Sequence, residues 1–120
     1  MNATETTRGH SFEDYFKRAV NPMVVMSLLL ERPKYAYEMT QELKDKTNSE
    51  YTMPLLYPVL YRLQKQGYIE EAEKLISENN RVRNYYRLTT LGCQHLEEMK
   101  REYIMLCRHV EDLVDLPETP

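Results

Sequence analysis

Cys93-Gln94-His95 and Cys107-Arg108-His109 repeat one pattern, a thiol and an imidazole two residues apart. These are the donors zinc prefers. On a helix, however, positions i and i+2 diverge by about 200°, so neither pair can close on one ion. No Ser/His/Asp set and no carboxylate pair placed for acid–base work is indicated. With three glycines in the whole chain, no phosphate-cradling loop appears either. The sequence argues against an enzyme and calls for no metal and no cofactor.

A different chemistry sits in the stretch TMPLLYPVLYRLQKQGY, residues 52–68. On a helical wheel Leu56, Val59, Leu60 and Leu63 share one arc. Pro54, Pro58, Tyr61 and Lys65 fall opposite, with Tyr57 and Arg62 at the flanks. That outward face carries proline, tyrosine and cation but no acid, whereas a solvated face normally mixes signs. Arg62 and Lys65 can reach guanine edges or phosphate, and the hydroxyls of Thr52, Tyr57 and Tyr61 can reach phosphate. Further on, Arg81, Arg83 and Arg87 alternate on one side of a short extended run. Arg81 and Arg83, near its tip, suit a minor groove or phosphates. The rival reading is a charged hairpin edge, paired with Glu70, Glu71 and Glu73. Lys34 and Lys44 are further candidates for phosphate.

These groups need a scaffold. Ser11, with Asp14 three residues on, resembles a capping box for a helix presenting Phe12, Tyr15, Phe16, Ala19 and Val20. Asn21-Pro22 reads as a second start, N-cap then first-turn proline, so residues 11–32 form either two helices or one with a bend. A second helix spans Tyr35 to about Lys46 and stops at TNSE (47–50). The third runs from about Met53 to Gln66, closed by Gly67 at C′. Two prolines inside it imply a late start near Leu55, where a missing N–H costs little. YIEEAEKLI (68–76) and RVRNYYRL (81–88) then suggest a hairpin around SENN, although the first arm alternates poorly. Thr89 or Thr90 caps a last helix reaching Leu113 or Leu116. Its Leu96, Met99, Tyr103, Leu106, Val110 and Leu113 are spaced 3-4-3-4-3, an a/d seam that asks for a partner helix.

The fold expected is mainly α with a small β-hairpin: a winged helix-turn-helix plus a long C-terminal dimerisation helix. The boundaries are a disordered tail over 1–10, a DNA-binding domain over 11–88 and the dimerisation helix over 89–116. Charge follows the same division. Residues 1–95 carry 13 Lys/Arg against 12 Asp/Glu, and residues 96–120 carry 3 against 7, so the net −3 lies in the tail. The longest apolar run, MVVMSLLL (23–30), is far below the ~18 residues of a membrane span. The polar N-terminus lacks a signal-peptide core, which points to the cytoplasm. Cys93 and Cys107, roughly 21 Å apart on one helix, are read as reduced.

YAYEMTQEL (35–43), LLYPVLYRLQKQGYIE (55–70) and NYYRLTTLG (84–92) together resemble the PadR family of bacterial transcription regulators, in matching order over roughly residues 22–92. The single C-terminal helix is similar to the smaller PadR subfamily. The resemblance implies a phosphate contact near Tyr37. Three departures stand out: Leu55 replaces the usual threonine, Ala36 the usual glycine, and the wing lacks a Gly-Gly. Some small PadR proteins trap flat aromatic drugs between tryptophans; this chain has none.

The expectation is therefore a homodimeric regulator, most simply a repressor, on double-stranded DNA. DNA contacts fall to Tyr37, Thr52, Tyr57, Tyr61, Arg62, Lys65, Arg81 and Arg83. Dimer contacts fall to Phe12, Phe16 and the seam Leu96, Met99, Tyr103, Leu106, Val110 and Leu113. Two alternatives remain. One is a small aromatic effector held between subunits by Met99, Tyr103 and Cys107. The other is a winged-helix protein-interaction module without DNA binding.

Overall fold

Ser11 opens the first helix as its sequence implies. Its Oγ accepts the Asp14 amide at 3.1 Å and donates to the Asp14 carboxylate at 2.9 Å, satisfying an N–H with no partner inside the helix. The computed structural model describes residues 11–76 and 80–118; the tail over 1–10 and residues 77–79 of SENN lie outside them. Helix α1 (Phe12–Glu31) is continuous, with Pro22 inside it. Asn21 is not a cap: it is buried, and its Oδ1 accepts the Tyr51 hydroxyl at 2.5 Å. An interior proline costs roughly 3 kcal/mol. Burying Val25, Met26, Leu28 and Leu29 just after it, at roughly 2 kcal/mol each, outweighs that and keeps the helix whole.

Helix α2 (Ala36–Thr47) begins where the Glu38 carboxylate accepts the Tyr35 amide at 3.2 Å, and stops at Asn48 in the left-handed region (φ 52°). Helix α3 (Leu56–Lys65) starts later than Met53. Pro58 is its third residue, so its missing N–H removes no ladder bond. At the other end Gly67 has φ 84°. Its amide bonds the Gln64 carbonyl and that of Tyr68 the Leu63 carbonyl, each at 3.0 Å. This is the paired closure that a C′ glycine permits.

Strands β1 (Ile69–Ile76) and β2 (Val82–Leu88) pair antiparallel, from Ile69 opposite Leu88 to Ile76 opposite Val82. A bulge between Glu71 and Glu73 leaves Ala72 as the extra residue. One inserted residue reverses the inside–outside alternation, which is why the first arm reads poorly as a strand. Thr89 caps helix α4 (Thr90–Leu113): its Oγ1 accepts the Gly92 amide at 3.0 Å and donates to the Gly67 carbonyl at 2.7 Å. Only the start of α4 enters the core, through Leu96, which joins Met26, Met39, Leu60, Leu63 and Ile69.

Lys34 overturns its expected role on phosphate. Its side chain is 0% exposed, with Nζ 2.5 Å from Glu42 and 3.4 Å from Glu31. Its backbone exchanges two hydrogen bonds with Tyr86, at 3.1 and 2.9 Å, and so ties β2 to the segment before α2. Burial raises the Glu42 pKa, but hydrogen bonds from Lys34 and Lys46 outweigh it and hold the carboxyl below its ordinary value. The resulting stabilisation is present above the ordinary carboxylate range and is lost as pH falls through the lowered pKa. Lys34→Ala is expected to lower the unfolding free energy by about 3 kcal/mol, because the ammonium and its stem are both removed. Lys34→Met, which refills the volume and leaves Glu42 to Lys46, is expected to cost about 1 kcal/mol. Urea denaturation of both variants at one protein concentration checks the order; equal losses would refute it.

Candidate nucleic-acid interface

The core-facing residues of α3 are Leu56, Leu60 and Leu63, with Val59 half-buried. Their burial turns the opposite side outward. Pro54, Leu55, Tyr57, Pro58, Tyr61, Arg62 and Lys65 are all exposed, Tyr57 by 67%. The helix contains no acidic residue. Lys65 Nζ lies 5.6 Å from the centre of the Tyr61 ring, a separation at which ammonium and aromatic face attract.

Two clefts flank this helix. On the wing side, Tyr37 from the start of α2, Tyr57 from the start of α3, and Arg81 and Arg83 from the hairpin converge on a cleft of about 230 Å³. On the other side, Arg62 shares a cleft of about 200 Å³ between α1 and α3 with Arg18, Leu55 and Pro58. Thr52 is exposed at the mouth of α3, and its carbonyl accepts Lys17 Nζ at 2.9 Å. The fold thus brings Tyr37, Tyr57, Arg81 and Arg83 together and sets Arg62 apart, with α3 between them.

The three wing arginines have different surroundings. Arg87 pairs with Glu70 across the strands at 3.6 Å. The Arg83 guanidinium lies 4.5 Å from the centre of the Tyr35 ring, and among the described residues no carboxylate pairs with it. Tyr85 meets the same Tyr35 ring edge-on at 5.2 Å. Of the two adjacent wing tyrosines, Tyr86 is the core residue. Burial, followed by the Glu71 carboxylate, raises its pKa, so its hydroxyl remains protonated at neutral pH. Tyr35, Arg18 and Lys17 carry no signal in the sequence pattern. Their neighbours lie on other elements, and nothing in spacing separates Tyr35 from Tyr37.

A second surface lies away from the helix-turn-helix. Phe12 and Phe16 of α1 face Met99, Tyr103, Leu106 and Val110 of α4 across an apolar groove of about 510 Å³. Cys107 lines the same groove, and its hydrogen bond with Tyr103 raises the tyrosine pKa. Leu96 must be removed from the seam: it is 0% exposed inside the chain's own core and unavailable to a second molecule. The face left for a partner starts at half-buried Met99 and runs to Leu113, beyond which α4 ends.

The matches to known proteins follow the same layout. The family model described as the transcriptional regulator PadR-like family matches residues 25–98, from the middle of α1 to the first turns of α4. This chain belongs to the PadR-like family. Its members are DNA-binding transcriptional regulators rather than enzymes, and the winged helix is their fold. A PadR family transcriptional regulator from Eggerthella lenta shares 30% identity and superposes with a TM-score of 0.73, over 86% of this chain and 88% of that one. A transcriptional regulator from Clostridium thermocellum shares 27% identity with a TM-score of 0.75, over 84% and 99%. An uncharacterized protein of Lysinibacillus sphaericus is 34% identical over 95 residues, 78% of this chain and 83% of that one. This PadR-like chain has, among its described residues, no helix long and apolar enough to cross a membrane and no group of three His, Cys, Asp or Glu placed to hold a metal.

Proposed function

We propose that this PadR-like regulator acts in the cytoplasm as a homodimeric repressor that binds an inverted-repeat operator and occludes a promoter. The observation that carries this reading is the acid-free outer face of α3, flanked by the wing cleft that gathers Tyr37, Tyr57, Arg81 and Arg83. In a helix-turn-helix this face enters the major groove, and its N-terminal residues meet base edges. Tyr57, Tyr61, Arg62 and Lys65 are then the groove contacts, with Thr52 and Tyr37 on the flanking phosphates and Arg81 and Arg83 on the next stretch of backbone. The α1–α4 groove supports the dimer: apolar side chains exposed over this area ask for cover, and a second α4 supplies the matching stripe.

Selection of duplexes from a random pool by the full-length protein tests the proposal. The expected product is an inverted repeat with half-sites about one helical turn apart, roughly 34 Å. On that duplex Arg62→Ala, Lys65→Ala and Arg81→Ala should each weaken binding about tenfold, and a phosphate contact should reduce the salt slope by about 0.9. If all three leave affinity and slope unchanged, the recognition surface is misassigned. Failure to enrich any duplex would favour a protein-interaction module. The volume of the α1–α4 groove supports a second reading, an aromatic effector bound beside Met99, Tyr103 and Cys107. Packing of the partner helix accounts for the same residues, and thermal stabilisation by a panel of small aromatic compounds distinguishes the two.

A further inference from the structure

The placement of Arg83 goes beyond its membership of a basic wing. Arginine side chains on a hairpin ordinarily sample many rotamers, and immobilising one on a ligand forfeits that freedom. Here the guanidinium already rests on a ring, 4.5 Å from the Tyr35 centroid. Contact through the flat face leaves the in-plane N–H donors available. Among the described residues no carboxylate consumes them. Arg83 also lines the cleft with Arg81, Tyr37 and Tyr57.

The ring beneath it is itself held in place. The Tyr35 amide is bonded to the Glu38 carboxylate at 3.2 Å, and Glu38 also accepts Arg32 at 2.9 Å. The preceding residue, Lys34, is locked by its two backbone bonds to Tyr86. Tyr85 packs edge-on against the ring at 5.2 Å. Tyr35 is therefore a platform built from α2 and β2 together, and an aromatic side chain brings few rotatable bonds of its own.

We infer that Tyr35 is a positioning residue for DNA binding: its ring pre-orients Arg83 so that the guanidinium edge meets one backbone phosphate in the cleft between wing and α2. This rests on the DNA-binding reading above and assigns Tyr35 no contact with DNA. Arg83 supplies the charge and Tyr35 the geometry.

The test is a double-mutant cycle on the duplex selected by the wild-type protein, with affinity measured across a salt series. Arg83→Gln should weaken binding about tenfold and reduce the salt slope by about 0.9, the signature of one lost phosphate contact. Tyr35→Leu should weaken binding about fivefold while leaving the slope nearly intact, because the charge remains. Tyr35→Phe, which keeps the ring, should bind as the wild type does. The double variant Tyr35→Leu/Arg83→Gln should be no weaker than Arg83→Gln alone. Additive losses, or an unchanged slope in Arg83→Gln, overturn the inference. Should Tyr35→Leu fold poorly, Tyr35→Met keeps the volume without the ring, and the Arg83→Gln slope decides on its own. If the wild type selects no duplex at all, the DNA-binding reading fails instead, and the two failures are separate results.

Discussion

Gly92→Ala should be the most damaging single-methyl addition in this chain, lowering the unfolding free energy by about 4 kcal/mol. A Cβ at position 92 would lie 2.0 Å from the Tyr68 carbonyl oxygen, 3.0 Å from its carbon and 2.7 Å from Leu88 Cδ1. Two of those atoms are backbone, and they belong to the junction between α3 and β1, so no side-chain rotation relieves the overlap. Helix α4 would have to lift away, stretching the Thr89 hydrogen bonds to Gly67 and Gly92 and unseating Leu96. Gly67→Ala makes the contrast. The nearest atom to its Cβ would be Leu91 Cδ2 at 3.8 Å, so there is room, and the penalty is only that of a left-handed φ of 84°, about 1 kcal/mol. Urea titrations at one fixed protein concentration check both values, since association would otherwise contribute to the apparent stability. Comparable losses in the two variants would show that α4 can shift without cost.

Leu106→Glu is the corresponding experiment for the proposed dimer. Leu106 is 54% exposed and lies mid-way along the seam that remains once Leu96 is assigned to the core. A carboxylate there is harmless to an isolated chain but faces its own copy and an apolar groove in a dimer. The expected result is a change from dimer to monomer in sedimentation at micromolar concentration. DNA affinity should fall by about 100-fold, because two half-sites no longer bind as one bivalent unit. A wild-type protein that already sediments as a monomer, or a variant that stays dimeric, would remove α4 from the interface.

The sequence was most legible where one residue type answers one local need. Gly67 at the end of α3, Thr89 before α4 and Ser11 before α1 each sit where an unpaired backbone group needs a partner or a left-handed turn. The leucines of α3 declared its core face, and that fixed which tyrosines and cations face outward. Legibility failed where two local signals competed or where the partner is distant. Asn21-Pro22 has the form of a helix start, yet burial on both sides carries the helix through it. Leu96 keeps the heptad phase of α4 but belongs to the first turns, which the core claims. The bulge at Ala72 hid the first strand. Lys34 reads as a surface lysine because Glu42 lies on the next helix and Tyr86 on the far strand. Tyr35, for the same reason, gave no sign of lying beneath Arg83.

The bond pair between Lys34 and Tyr86 bears on how such a protein could be re-engineered. Exchanging α3 for that of a relative leaves this joint untouched, because no residue of α3 takes part in it. Exchanging the hairpin is a different operation. A foreign wing would arrive without the backbone match at Tyr86, and a foreign segment 34–42 would leave either a buried ammonium or its carboxylate without its mate. Residues 34–42 and 82–88 therefore form one interchangeable cassette, and chimeras cut between them should misfold where chimeras that carry both should not.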